Sequence, residues 1–188
     1  RDYTDGSVTR VAGPDRYATA ALLSEEITTT GGTVYVATGA DYPDALAGAA
    51  AAGAVDGPVL LVKQTAIPSA TRSALERLQP DTVVVLGDQA SISNAVATQL
   101  AAYGEVERRA GDNRYETAAA VSLGANPDGA DVAFVATGLD FPDALAGAAR
   151  AGHLEGPVLL VRPDLIPSAT LAELHRLRGD LDAAERTY

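Results

Sequence analysis

The chain states one stretch twice, and nothing else in it constrains the fold as much. ATGADYPDALAGAAAAGAVDGPVLLV runs from Ala37 to Val62 and ATGLDFPDALAGAARAGHLEGPVLLV from Ala136 to Val161; at an offset of 99 they agree at 20 of 26 positions. Shared alanine content cannot give that agreement, so the chain carries an internal duplication. Each copy opens on the end of an apolar strand (Val34 to Thr38, Val132 to Thr137), turns at Gly39 or Gly138, and enters a helix at Pro43 or Pro142. Proline's fixed φ and missing N–H suit that first helical position. A helix of small residues follows, then Gly-Pro and a second apolar strand. The order strand, helix, strand predicts a parallel pair joined by a crossover.

The repeat divides the 188 residues into two modules, 1–104 and 105–188, each long enough to bury a core of its own. In the first, a polar lead-in (1–7) precedes a β-branched strand from Val8 to Ala12. Tyr17, Ala20, Ala21, Ser24 and Ile27 then fall at helical spacing, predicting a helix from near Asp15 to near Thr29. The strand Thr33 to Thr38 leads to the signature helix, Pro43 to Val55, whose Ala45, Gly48, Ala49 and Ala52 leave a face of little bulk for close approach to a sheet. Pro58 to Lys63 and Thr82 to Leu86 read as buried strands, because their apolar runs do not alternate. Helices are expected from Pro68 to near Leu78 and from Ile92 to Tyr103.

The second module retraces this path: a strand to Ala110, a helix from Asn113, a strand to Thr137, the signature helix, a strand from Val158 and a helix from Pro167. In its first helix the offset is 98, so Gly111, Arg114, Tyr115 and Thr117 match Gly13, Arg16, Tyr17 and Thr19. Asn113 and Glu116 have capping-box spacing. After Leu177 the copy fails. Counterparts of the last strand and helix are not found where the repeat would put them, and Thr187 and Tyr188 stand near where that strand would begin.

Composition removes several classes of function. With 14 Lys+Arg against 25 Asp+Glu, a formal charge of −11 and a single lysine (Lys63), the chain is a poor candidate for binding nucleic acid. It has no cysteine, hence no disulfide framework and no thiolate metal site. The absence of methionine, even at position 1, reads as a processed or excised segment. No apolar run reaches the roughly 18 residues of a membrane span, and no signal peptide opens the chain. His153 and His175 face Ala54 and Glu76 in the other copy, so they read as ordinary surface or helix residues. No nucleophile-elbow, zincin or P-loop pattern occurs.

Two groups of side chains remain as site candidates. Asp41, Asp44, Asp140 and Asp143 follow the carboxyl ends of strands, where open α/β sheets place ligands. Asp44 and Asp143 can equally complement the dipole of the helix they begin. Arg16-Tyr17 and Arg114-Tyr115 open matched helices, and Arg10, Arg108 and Arg109 lie on the strands before them. A helix N-terminus with an arginine beside it suits a phosphate or another anion. The alternative is that Arg16 and Arg114 pair with the signature carboxylates and pin the loops.

The ordered motifs RVAGxxRYxTA (Arg10 to Ala20), ATGxDxPDALAG (Ala37 to Gly48) and PVLLV (Pro58 to Val62) resemble the cell wall binding repeat 2 family of exported Gram-positive proteins. The resemblance covers essentially the whole chain. It implies an α/β fold of tandem Toprim- or Rossmann-like modules with parallel sheets flanked by helices, commonly three in a row beside a separate effector domain. It implies an extracellular, wall-associated, non-catalytic module that needs no cofactor. Its partner would be an anionic wall polymer, a secondary wall polysaccharide or one of teichoic type, held by the arginines and tyrosines named above. Fewer than two complete repeats are present, so further repeats or a homo-oligomer are expected to complete the assembly. The other readings are a Mg²⁺-dependent Toprim-like phosphoesterase using Asp41/Asp44 and Asp140/Asp143, and a structural or protein-interaction spacer.

Overall fold

The computed structural model describes residues 8–27 and 30–179. The polar lead-in and the segment after Leu177 that no longer follows the repeat, apart from Arg178 and Gly179, lie outside the described residues.

Seven helices and six strands follow one another in the described residues: α1 (Arg16–Leu23), β1 (Thr33–Thr38), α2 (Pro43–Ala54), β2 (Val59–Val62), α3 (Ser69–Leu78), β3 (Thr82–Leu86), α4 (Asn94–Leu100), β4 (Glu105–Arg109), α5 (Arg114–Ala125), β5 (Phe134–Thr137), α6 (Pro142–His153), β6 (Val158–Val161) and α7 (Ser168–Leu177). All strand pairs are parallel, in one sheet of order β2-β1-β3-β4 and a second of order β5-β6. The chain is therefore an α/β protein whose two copies of the repeated stretch form the same strand–helix–strand unit.

The strand pleat sorts the core into two layers. Val34, Val36, Leu60, Val62, Val83 and Val85 face α3 and α4, with Leu75, Leu78, Ile92, Val96 and Leu100 closing that side. Tyr35, Ala37, Val84 and Leu86 point the other way, onto α2. That second layer does not stop at the module boundary. It continues into Ala118 and Val121 of α5, Ala144, Ala148 and Ala151 of α6, and Val158 and Leu160 of β6, so the two modules share this layer, while the layer under α3 and α4 is built from the first module and Val106.

The low-bulk face of α2 works on two sides. Gly48 lies under Leu86 of the sheet, while the C-terminal end of α2 meets α6 where Gly53 approaches Gly152. At the other end of this helix pair the equivalent residues Tyr42 and Phe141 meet edge to face, centroids 5.5 Å apart, and the Tyr42 hydroxyl donates to Leu139 O (3.0 Å). Helix α5 also packs on α2, whereas the corresponding helix α1 has α3 and β2 as its main neighbours. The modules are thus related head to tail and not by a self-complementary two-fold.

Several expectations change. Val8 to Ala12 forms no strand, although its counterpart β4 does. The reason is pairing: β4, which the repeat assigns to the opening of the second module, hydrogen-bonds along β3 of the first (Thr82↔Glu105 through Leu86↔Arg109). Helix α1 ends at Leu23 in a 3-10 turn, Ser24–Glu26, where the Ser24 hydroxyl donates back to Ala21 O (2.7 Å) and Ile27 turns extended. Ser93, whose hydroxyl accepts from Val96 N, delays α4 to Asn94, and Ile92 is buried ahead of it. The strand expected from Val132 begins at Phe134.

The two modules also differ in cover. Val36 is fully buried and Leu46 7% exposed, whereas their equivalents Val135 and Leu145 are 51% and 56% exposed among the described residues.

Candidate functional site between the modules

A cleft of about 150 Å³ opens at the carboxyl ends of β1, β3 and β4, where the start of α2 faces the start of α5. Short β-to-α turns bring both helix starts here. The first module contributes Thr38, Asp41, Asp44, Asp88 and Ser91; the second contributes Gly111, Asp112, Asn113, Arg114 and Thr117. The site is therefore composite, and neither module alone forms it.

Asp44 sits in the first turn of α2, half-buried, with Ser91 Oγ donating to its Oδ2 (3.3 Å). Burial pushes its carboxyl above the ordinary value; the Ser91 hydrogen bond opposes this, the nearby Asp41 and Asp88 charges add to it, and Arg114 offsets a part. Asp88 accepts from Ala90 N and Ser91 N (both 3.0 Å) and so shapes the turn that carries Ser91. Asp41 is exposed; its Oδ1 accepts from Tyr42 N, and its Oδ2 lies 3.8 Å from Arg114 Nη2.

Arg114 bridges the modules. Its Nη1 donates to Gly138 O (2.6 Å) in its own signature loop while Nη2 reaches Asp41 in the other. Arg16 repeats half of this arrangement, donating to Gly39 O (2.5 Å). The neighbouring tyrosines lie against the same two glycines: a Cβ on Gly39 would strike the Tyr17 ring and one on Gly138 the Tyr115 ring. The Tyr17 ring also has Lys63 Nζ 5.9 Å from its centroid. Asn113 caps α5 by accepting from Tyr115 N and Glu116 N; Glu116 returns to Asp112 N (2.9 Å), one residue before the cap.

The remaining candidates are dispersed. Arg108 donates to Gly87 O (2.6 Å) and Ile92 O (2.8 Å), binding the turn after β3. Arg109 pairs with Glu107 (3.1 Å) and lies over the Tyr35 ring. Arg10 is exposed, and Asp140 and Asp143 are exposed on the second signature loop, Asp140 accepting from Phe141 N (2.8 Å). The structure thus brings Asp41, Asp44 and Arg114 together and leaves the others apart. Asp88 and Ser91 escaped the sequence reading because they belong to no repeated motif; the Asp-x-x-Ser spacing of a turn before a helix was their only signal. Among the described residues, no three His, Asp or Glu side chains are grouped so as to hold a metal ion, and no helix is long and apolar enough to cross a membrane.

Residues 10–97 and 108–181, one stretch in each module, match the family model of Cell wall binding domain 2 (CWB2). The chain belongs to the CWB2 family. Its relatives include the N-acetylmuramoyl-L-alanine amidase LytC of Bacillus subtilis (strain 168), 32% identical over 169 residues, which span 88% of this chain and 33% of that protein. The amidase enhancer of the same organism is 33% identical over 162 residues, 86% of this chain and 23% of the relative. The chain thus spans a third or less of these relatives. In fold it is similar to Cwp6 from Clostridium difficile (TM-score 0.81, 24% identity, 94% of this chain and 30% of that one). Cwp8 from the same organism gives a TM-score of 0.78 at 22% identity, over 95% of this chain and 34% of that one.

Proposed function

We propose that this chain is a non-catalytic, cell-surface module that holds its parent protein on an anionic wall polymer. The observation that carries the reading is the CWB2 match in both modules. Relatives that are about three to four times longer fit a binding segment carried beside other domains. The two parallel α/β units are read as Toprim- or Rossmann-like, with binding at the carboxyl ends of their strands, where the composite cleft lies.

Within that reading Arg114 is the anion contact. It stands at the cleft with its side chain one-third exposed, and its Asp41 partner, 3.8 Å away, is loose enough to give way to a phosphate or carboxylate. Arg16, with Tyr17, offers a second, outer contact of the same build. The cleft's other oxygens, from Asp41, Asp44, Asp88 and Asn113, suit sugar hydroxyls rather than phosphate.

Co-sedimentation with purified Gram-positive walls tests the proposal. Retention is expected, weakening with added salt as contacts to the polymer are screened, and falling with Arg114→Ala. Equal retention on walls stripped of their anionic polymers would overturn it.

A further inference from the structure

The first module's sheet is finished by residues that the repeat counts as the second module's. β4 lies parallel on β3 along its whole length, and Arg108 locks it there by donating to Gly87 O and Ile92 O, the backbone immediately beyond β3. Val106 adds the apolar contact, packing against the buried layer under α4. The first module carries the same apparatus with nothing to apply it to. At the offset of 98, Val8, Arg10 and Ala12 are identical to Val106, Arg108 and Ala110. Val8 is 85% exposed, and Arg10 is exposed with no hydrogen-bond or ion-pair partner among the described residues.

The geometry that launches the segment is preserved. Gly13 N donates to Thr19 Oγ1 (3.0 Å) as Gly111 N does to Thr117 Oγ1 (3.2 Å), and each helix behind is capped by its own Asp15 or Asn113. The segment Val8–Ala12 therefore leaves α1 from the same turn by which β4 enters α5. An extended, β-branched segment becomes a strand only where another strand's N–H and C=O groups are offered to it.

We propose that Val8–Ala12 is an interlocking strand that adds in parallel to the β3-type edge of a preceding repeat of the same kind, with Arg10 closing the turn beyond that edge. Its acceptor is defined by chemistry: a parallel edge of apolar residues, followed by a glycine turn whose carbonyls point at the incoming guanidinium. Within this chain, among the described residues, the β3 edge is already filled by β4, and at β5, the other apolar edge strand that runs into a glycine turn, the Gly138 carbonyl is already taken by Arg114. The head-to-tail relation of the modules agrees, since each repeat would then offer its own edge to the next and its lead-in to the one before.

Hydrogen exchange on two full-length chains tests this. In the first, residues 8–104 are repeated ahead of Ser7, so that the copied Gly104 runs into Ser7 as the native one runs into Glu105. Amides of Val8 to Ala12 are expected to exchange freely in the native chain and to slow by ~100-fold or more in the extended one. Arg10→Ala in the extended chain should return much of that protection. In the second, Glu105→Ser, Glu107→Thr and Arg109→Val together turn β4 into the lead-in sequence, and the protection of Val83 to Leu86 should persist. Free exchange of residues 8–12 in the extended chain, or loss of β3 protection in the substituted one, would overturn the proposal.

Discussion

Gly53 and Gly152 occupy equivalent places in the two copies of the repeat and face each other across the contact between α2 and α6. A Cβ added to Gly53 would lie 3.2 Å from Gly152 Cα, and one added to Gly152 would lie 3.1 Å from Gly53 Cα. The repeated helix is thus poor in bulk because it packs against its own duplicate.

Substitution by size should expose this. Alanine at Gly53 gains helix propensity of roughly 0.5–1 kcal/mol, while the neighbouring backbone must give only a few tenths of an ångström, so stability should change little. Leucine there overpacks two backbones and should cost about 1–3 kcal/mol. Urea titration of both variants checks the ordering; a leucine variant as stable as the native chain would show that the helices are free to part.

Arg16 and Arg114 hold the signature loops by their glycine carbonyls. Arg114→Ala should lose about 1–2 kcal/mol, since the charge-assisted bond is removed and the part-buried Gly138 carbonyl is left without its donor. Arg16→Ala should lose less, about 0.5–1 kcal/mol, because that side chain is exposed and its bond is weakened by solvent. Denaturant midpoints with unchanged m-values would measure the difference. No loss at either site would mean that the loops keep their shape unaided.

Asp44 gives a dependence on pH. Its folded carboxyl titrates above the ordinary value, chiefly through burial, so between the two values the folded state holds more proton than the unfolded chain. Stability contributed by this group is present below the ordinary carboxylate range and is lost as pH rises through the raised value. Asp44→Asn should therefore gain on the native chain as pH goes from acid to neutral. Melting curves across that range decide it; a gap that is constant or that shrinks contradicts the assignment.

Glu173 is 3% exposed in α7, accepting from Ser122 Oγ (2.5 Å) and from Arg176 Nε and Nη2 (2.7 Å each). In the first module Ala74 stands in its place, and Arg77 reaches Ser24 directly. Glu173→Ala should cost about 3–5 kcal/mol by leaving the Arg176 charge buried against fewer partners. A loss below about 1 kcal/mol, read by calorimetry, would show that Arg176 re-forms the simpler contact of the first module, a magnitude typical of a solvated pair.

Much of the fold was legible because its signals are local. Val34 to Thr38 and Val59 to Val62 announce strands by β-branched and apolar runs, and Pro43 and Pro142 mark the helix starts to the residue. Strand pairing is not local: Val8 to Ala12 and Val106 to Ala110 read alike, yet only the second has β3 beside it. The cleft was half legible for the same reason. Asp41, Asp44 and Arg114 belong to repeated motifs and could be singled out, but their convergence depends on how one module sits on the other. Asp88 and Ser91 lie in a turn outside the motifs that the two copies share.

The borrowing of β4 has a consequence for how the protein is made. As the chain leaves the ribosome, β3 of the first module is fully synthesised some 20 residues before its outer neighbour, Thr82 to Leu86 against Glu105 to Arg109. Until the opening of the next module emerges, that edge is bare and open to the wrong partner. Each new repeat would then relieve the one before it, so that completion proceeds along the polypeptide in the order of translation.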